Sequence, residues 1–143
     1  MLDRLRTLFG LPLHSKKVAL LAAIPPELAA LNHGGFEWRI YRYDGWILTL
    51  AANNTLAYGH TLELRFQGVS YLRCPTTFDS PCFRAASTDD LAELTSFLDL
   101  SGETPYFFDA QASNTMTPVP FVVCAESFSV HHETVSYVKQ DGG

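Results

Sequence analysis

The densest run of side chains able to do chemistry is His131-His132-Glu133. On an extended chain successive side chains alternate, so His131 and Glu133 share one face and His132 takes the other. Two ligands from that strand, joined by His60 from another, would have the donor types of a zinc-like site. The spacing argues against it, because a helical zinc-protease motif sets its histidines four residues apart and these two are adjacent. The expectation is turn or surface histidines, with no resident metal and no cofactor.

Other catalytic patterns are weaker still. A nucleophilic thiol needs a base beside it. Cys82 closes the apparent loop CPTTFDSPC, within conceivable reach of His60, but nothing local marks either residue. Cys124, inside FVVCA, reads as a small core residue. There is no G-x-S-x-G turn for a serine nucleophile. Gly34-Gly35 lacks the Lys-Ser/Thr that follows in a phosphate cradle. Acid pairs such as Glu126 and Glu133 fall in no pattern that would set two carboxyl groups apart in acidity.

Recognition is the better-supported chemistry. Phe36, Trp38 and Ile40 alternate with Glu37, Arg39 and Tyr41, the period of a half-buried strand. With the apolar set facing a core, Glu37, Arg39, Tyr41 and Tyr43 face outward. Thr49, Glu63 and Arg65 join them from the next antiparallel strands. Arg and Tyr are enriched at interaction hot spots, so Arg39, Tyr41, Tyr43 and Arg65 are the expected partner-binding residues. Ordinary cross-strand pairing of Glu with Arg would give the same pattern with no partner.

The elements that position these residues follow from periodicity and breakers. Leu2, Leu5, Leu8 and Phe9 lie on one face of a short helix ended by Pro12. The apolar run from Val18 to Ile24 leans to helix on its alanines and leucines. Pro26 suits the first turn of another helix, with Leu28 and Leu31 inward and Gly34-Gly35 as its stop. Asp44-Gly45 predicts a two-residue hairpin turn between the strand ending near Tyr43 and the one running from Trp46 to Ala52. His60 to Gln67 reads as a third strand. The apolar phase then changes at Gly68, a sign of a bulge or bend. Pro75 to Pro81 reads as loop. Ser87-Thr88-Asp89-Asp90 opens a capped helix whose stripe is Leu91, Leu94, Phe97 and Leu98. Tyr106 to Asp109, Phe121 to Ala125 and Phe128 to Val138 complete the strands, the last bent or hairpinned near His131-His132-Glu133.

These elements predict an α+β fold: an antiparallel β-sheet of four to six strands with two or three helices packed on one face, as one domain over residues 1–143. The chain has 143 residues, long enough to bury a core without disulfide or metal. Charged residues are 17%, below the roughly 25% of an average domain, while aromatics reach 13%. Few charges and many rings fit a large core under a Ser/Thr/Asn-rich surface; the alternative is apolar surface covered by a partner or a second copy.

Net charge is −5, with a basic start and an acidic second half: from Ala85 onward nine acidic residues face only Lys139. That balance disfavours nucleic acid, whose affinity rests on phosphate contacts. Val18 to Leu31 is too short to span a bilayer and is broken by Pro25-Pro26. The odd cysteine count, and charges within MLDRLRTLFG where a secretion signal is apolar, point to free thiols in a cytoplasmic setting. A Cys74–Cys82 disulfide is the exported alternative. The leading expectation is a non-enzymatic protein-interaction or regulatory domain acting on a protein partner or as a homodimer. The alternative is a sheet curled around an apolar pocket that binds a small molecule, with hydrolysis as an extension.

Overall fold

The computed structural model describes residues 24–32 and 34–138. Along the chain come helix α1 (Pro26–Ala29), β1 (Glu37–Tyr43), β2 (Ile47–Asn53), β3 (Gly59–His60), β4 (Leu62–Gln67), β5 (Tyr71–Arg73) and β6 (Thr77–Arg84). Helix α2 (Thr88–Thr95), β7 (Thr104–Ala112), β8 (Val119–Ala125), β9 (Ser127–His131) and β10 (Val135–Ser136) follow. Eight strands form an antiparallel sheet in the order β5-β8-β7-β6-β1-β2-β4-β9, and β3 pairs with β10 apart from it.

The two ends of that order meet. β5 continues β4 past Gly68, and β9 continues β8 past Glu126. Gln67 pairs with Ser127, and after a one-residue slip Tyr71 pairs with Cys124. Across the slip the Glu126 amide donates to the Gln67 carbonyl at 2.9 Å, and the Ser70 amide to the Cys124 carbonyl at 3.0 Å. The two ladders are therefore one long bulged ladder, and the sheet closes into an antiparallel barrel. The phase change at Gly68 marks the point of closure.

Alternation fills the barrel. Trp38, Leu50, Leu64, Phe78, Phe108 and Val123, from strands all around the ring, share one buried cluster. Trp38 stacks on Phe78 at 6.0 Å, and Tyr106 meets both Phe66 and Phe128. α1 plants the buried Leu28 in this cluster. Its Pro26 sits in the first turn, where a missing amide costs no hydrogen bond. A second cluster of Leu94, Leu100, Phe107, Val122 and Cys124 lies on the outside of β7 and β8, beneath α2. Ser87 and Asp90 close the expected capping box on that helix.

The α+β expectation is overturned. The described chain is mostly antiparallel strand, and its two helices are short. α2 covers only a patch outside the barrel, because the main apolar face is already covered by the sheet's own far side. The helix expected over Leu2 to Phe9 and nearly all of the run from Val18 lie outside the described residues.

Three local readings also change. In the β1–β2 turn, Asp44 pairs with Ile47, so Gly45 and Trp46 are the central residues and only Gly45 has positive φ, at 91°. Asp44 flanks the turn and accepts the Trp46 and Ile47 amides at 2.8 Å each. Pro75 to Pro81 was expected as loop, but Thr77–Arg84 is strand β6. A register slip between Asp79 and Cys82, with Ser80 at φ 46°, hides its alternation. Pro81 sits within that irregularity, where a ladder amide is dispensable. Finally, the third strand breaks at Thr61, which separates Gly59–His60 from β4.

The β1–β6 seam is short, with Glu37, Trp38 and Arg39 pairing Asp79, Phe78 and Thr77. Beyond it the Asn32 side chain takes over a strand's role. Its amide nitrogen donates to the Phe83 carbonyl at 2.8 Å, and its oxygen accepts the Phe83 amide at 2.7 Å. Among the described residues no helix is long and apolar enough to cross a membrane.

Candidate functional site

The outer face of β1, β2, β4 and β9 is polar, and the strand register sets it out in rows. One row runs Arg39, Ala51, Glu63, His131, and the next Arg42, Thr49, Arg65, Ser129. A slip in the β1–β2 register leaves Tyr41 without a partner residue. A residue inserted this way turns its strand and re-aims the side chains after it. Arg39, Tyr41 and Arg42 consequently gather on one side, with the Arg39 and Arg42 guanidiniums 5.9 and 5.5 Å from the Tyr41 ring centre.

A strap crosses this face. After β9 the chain runs through Glu133 into β10, which pairs Val135 with His60 and Ser136 with Gly59. The Tyr137 amide donates to the Tyr58 carbonyl at 2.8 Å, and the Glu133 amide to the Thr61 carbonyl at 3.1 Å. The strap lays the Tyr137 ring near-parallel to Tyr41 at 6.0 Å, and the Arg39 guanidinium rests 4.7 Å from the centre of the Tyr137 ring.

Below the tyrosines His60 is 1% exposed. Its Nε2 bonds a Glu63 carboxylate oxygen at 2.7 Å, and its Nδ1 bonds the Tyr137 hydroxyl. The other Glu63 oxygen accepts Arg65 Nε at 2.9 Å and Nη2 at 2.6 Å. Arg65 also reaches Glu133 at 3.2 Å. Burial alone would raise the Glu63 carboxyl, but hydrogen bonds from His60 and Arg65 outweigh it and hold the group below the usual carboxylate value. Both nitrogens of His60 are engaged within the protein, so the network orients Tyr137 and offers no free base.

The cations above it are different. Arg39 makes no hydrogen bond or ion pair among the described residues, and its Nε is buried without an acceptor. Arg42 makes no hydrogen bond or ion pair among them, although its charge reaches the Asp44 carboxylate, which is held by the Ile47 and Trp46 amides. A guanidinium over a tyrosine face gains about 0.5–1 kcal/mol at an exposed site, yet keeps its donors unspent.

Of the residues expected to bind a partner, the fold brings together Arg39, Tyr41 and Arg65. Tyr43 departs from them. Past the slip it pairs with Leu48, whose side chain belongs to the barrel interior, and it ends 46% exposed at the hairpin tip. Arg42, Tyr137 and the His60–Glu63 pair were missed. Arg42 needed the slip, and Tyr137 needed the strap, neither of which has a local signature.

The histidines and Glu133 do not gather. His131 bonds Ser129 at 2.8 Å, Glu133 meets Arg65, and His132 turns to a cavity at one end of the barrel. That cavity, of about 630 Å³, is lined mainly by apolar side chains, among them Leu31, Phe36, Trp38, Leu62 and Val130. Cys74, Cys82 and Cys124 are all free thiols. Among the described residues no group of three His, Cys, Asp or Glu side chains is placed to hold a metal ion. Compared with models of known protein families, with curated proteins and with solved structures, the chain finds no match.

Proposed function

We propose that this barrel is a non-enzymatic protein-interaction domain whose contact face is built on Arg39, Tyr41, Arg42 and Tyr137. The observation that carries this reading is Arg39, a cation set on a tyrosine ring with its Nε out of water and without an acceptor among the described residues. An unpaired buried donor costs on the order of 1–3 kcal/mol, a cost that an incoming acceptor removes. Arg and Tyr with their side chains already ordered are the residue types that serve as interface anchors. The His60–Glu63–Arg65 network supports the same reading, since it holds Tyr137 in place and keeps its own polar atoms occupied.

The partner is another protein or a second copy of the chain, and the three free thiols support a reducing, cytoplasmic setting. The test is affinity capture from the native cell with the parent chain and Arg39→Gln, beside light scattering in low and high salt. A protein retained by the parent and lost by the variant, or a dimer that the variant dissolves, is the expected result. A monomer that captures nothing in either form refutes it.

A second reading rests on the barrel-end cavity, whose lining of Phe36, Trp38, Leu62 and Val130 suits a small apolar molecule. Its test is Trp38 fluorescence during titration with an apolar dye. The expected result is saturable quenching abolished by Leu62→Trp, and a linear, unsaturable response refutes it.

A further inference from the structure

The geometry points to an acidic segment of a partner protein as the ligand of this face, its carboxylates taken by Arg39 and Arg42. The inference rests on the interaction reading above and names the chemistry of the partner. Two guanidiniums flank one tyrosine, Arg39 at 5.9 Å and Arg42 at 5.5 Å from the Tyr41 ring centre. Among the described residues neither makes an ion pair with an acid, and the charge of Arg42 reaches only as far as the Asp44 carboxylate in the adjoining turn. Nearby acids among the described residues are already committed: Glu63 to His60 and Arg65, Glu133 to Arg65, Glu37 to the Leu56 amide, and Asp44 to the Trp46 and Ile47 amides. Among the described residues the face therefore presents two cations without an ion pair beside satisfied anions, although the chain as a whole carries −5.

Charge complementarity then selects the ligand. A guanidinium binds carboxylate or phosphate through paired N–H donors. Binding the phosphates of a nucleic acid ordinarily draws on several cations along a backbone, and the described face offers two. Nucleobases would also need a bare aromatic face, whereas Tyr41 and Tyr137 lie near-parallel to each other and Arg39 occupies Tyr137. A small anion would leave most of an open face uncontacted, and the barrel-end cavity is lined by neither arginine. A peptide segment with two carboxylates along an extended backbone fits an open, ordered face with two adjacent cations. The stacked tyrosines hold Arg39 in position in advance, which lowers the ordering cost of binding.

The test is fluorescence anisotropy of a labelled Glu-rich peptide with the full chain. Its Gln counterpart of equal length and a labelled oligouridylate are the comparisons. The Glu peptide is expected to bind with salt-dependent affinity, and the Gln peptide about tenfold more weakly or worse. Arg39→Gln and Arg42→Gln are each expected to weaken the Glu peptide several-fold. Arg73→Gln, which removes a cation on β5 that pairs with Glu93, leaves binding unchanged. Arg42 is exposed, so its variant keeps the fold and serves even if Arg39→Gln unfolds the chain.

Equal binding of the Glu and Gln peptides, tighter binding of the oligouridylate, or equal losses from Arg73→Gln and Arg42→Gln would each overturn the inference. Salt-dependent self-association that displaces the Glu peptide would assign the face to a second copy, which also overturns it. No peptide binding, alongside a captured protein that Arg39→Gln loses, refutes the acidic ligand and leaves the interaction reading standing.

Discussion

Gly59 decides whether the strap can lie where it does. A Cβ built on Gly59 would stand 2.2 Å from the Val135 carbonyl oxygen and 3.2 Å from the Ser136 Cα. Both obstacles are backbone, so Gly59→Ala cannot be accommodated by rotating a side chain. If the strap stays, the clash is an overpacking problem of about 1–3 kcal/mol. If it lifts, the chain loses the Tyr137–Tyr58 and Glu133–Thr61 backbone bonds and the Tyr137–His60 bond. At about 1 kcal/mol net for each, that route costs roughly 3 kcal/mol. The protein takes the cheaper route, so the expected loss is about 1–3 kcal/mol. For a chain of this size that lowers Tm by roughly 3–10 °C. Thermal unfolding followed by circular dichroism gives the stability, and hydrogen exchange at the Tyr137 amide says which route was taken. A Tm unchanged within about one degree, with the Tyr137 amide as protected as in the parent, would refute the close approach and with it the strap.

Other changes test separate parts of the structure. Gly45→Val places a β-branched residue at φ 91° in the β1–β2 turn and should destabilise by about 1–3 kcal/mol; an unchanged urea midpoint would contradict the turn assignment. Glu63 ionises below its usual 4.5 in the folded chain, so its contribution is complete above that value and is lost as pH falls through the lower folded value. Glu63→Gln should flatten that acid limb in a series of denaturant midpoints, and an identical slope in parent and variant would show the group uncoupled. Burial pushes the Cys74 and Cys124 thiols up to about 12, whereas Cys82 is exposed. A thiol reagent should therefore find a single fast equivalent, lost in Cys82→Ser, and two fast equivalents would contradict the raised thiols of half-buried Cys74 and buried Cys124.

What was legible in the sequence was legible where alternation ran unbroken. Phe36, Trp38 and Ile40 gave β1, and Leu62, Leu64 and Phe66 gave β4, each with the correct inward set. The capping box at Ser87 and Asp90 was equally plain, because a cap is a local arrangement. The failures have two physical sources, a residue inserted into a ladder and a pairing distant along the chain. The slip at Tyr41 re-aimed the residues beyond it, so Arg42 joined the face in place of Tyr43. The slip between Asp79 and Cys82 set the inward Phe78 and Phe83 five residues apart, which no strand period predicts. Barrel closure depends on Gln67 meeting Ser127 and Tyr71 meeting Cys124, pairs too distant for any local pattern to announce. Without closure the main apolar face needs helices to cover it, which is how an α+β fold came to be expected. Tyr137 belonged to the same class: its partners Tyr58, His60 and Arg39 lie far back along the chain.

The Asn32 clasp on Phe83 has a consequence for how this molecule comes apart. A closed ring of strands has no loose end, so it must part along one line, and the β1–β6 seam is the shortest. Three residue pairs hold its centre, the Ser80 amide to the Phe36 carbonyl extends it, and an amide side chain latches it beyond. Once parted, the ring exposes two complementary borders. Those of a second opened molecule match them as well as its own do, so the route that reseals one ring also splices two into an exchanged pair. Asn32 thus guards more than one molecule's shape, because the latch that closes a ring also keeps neighbouring rings separate.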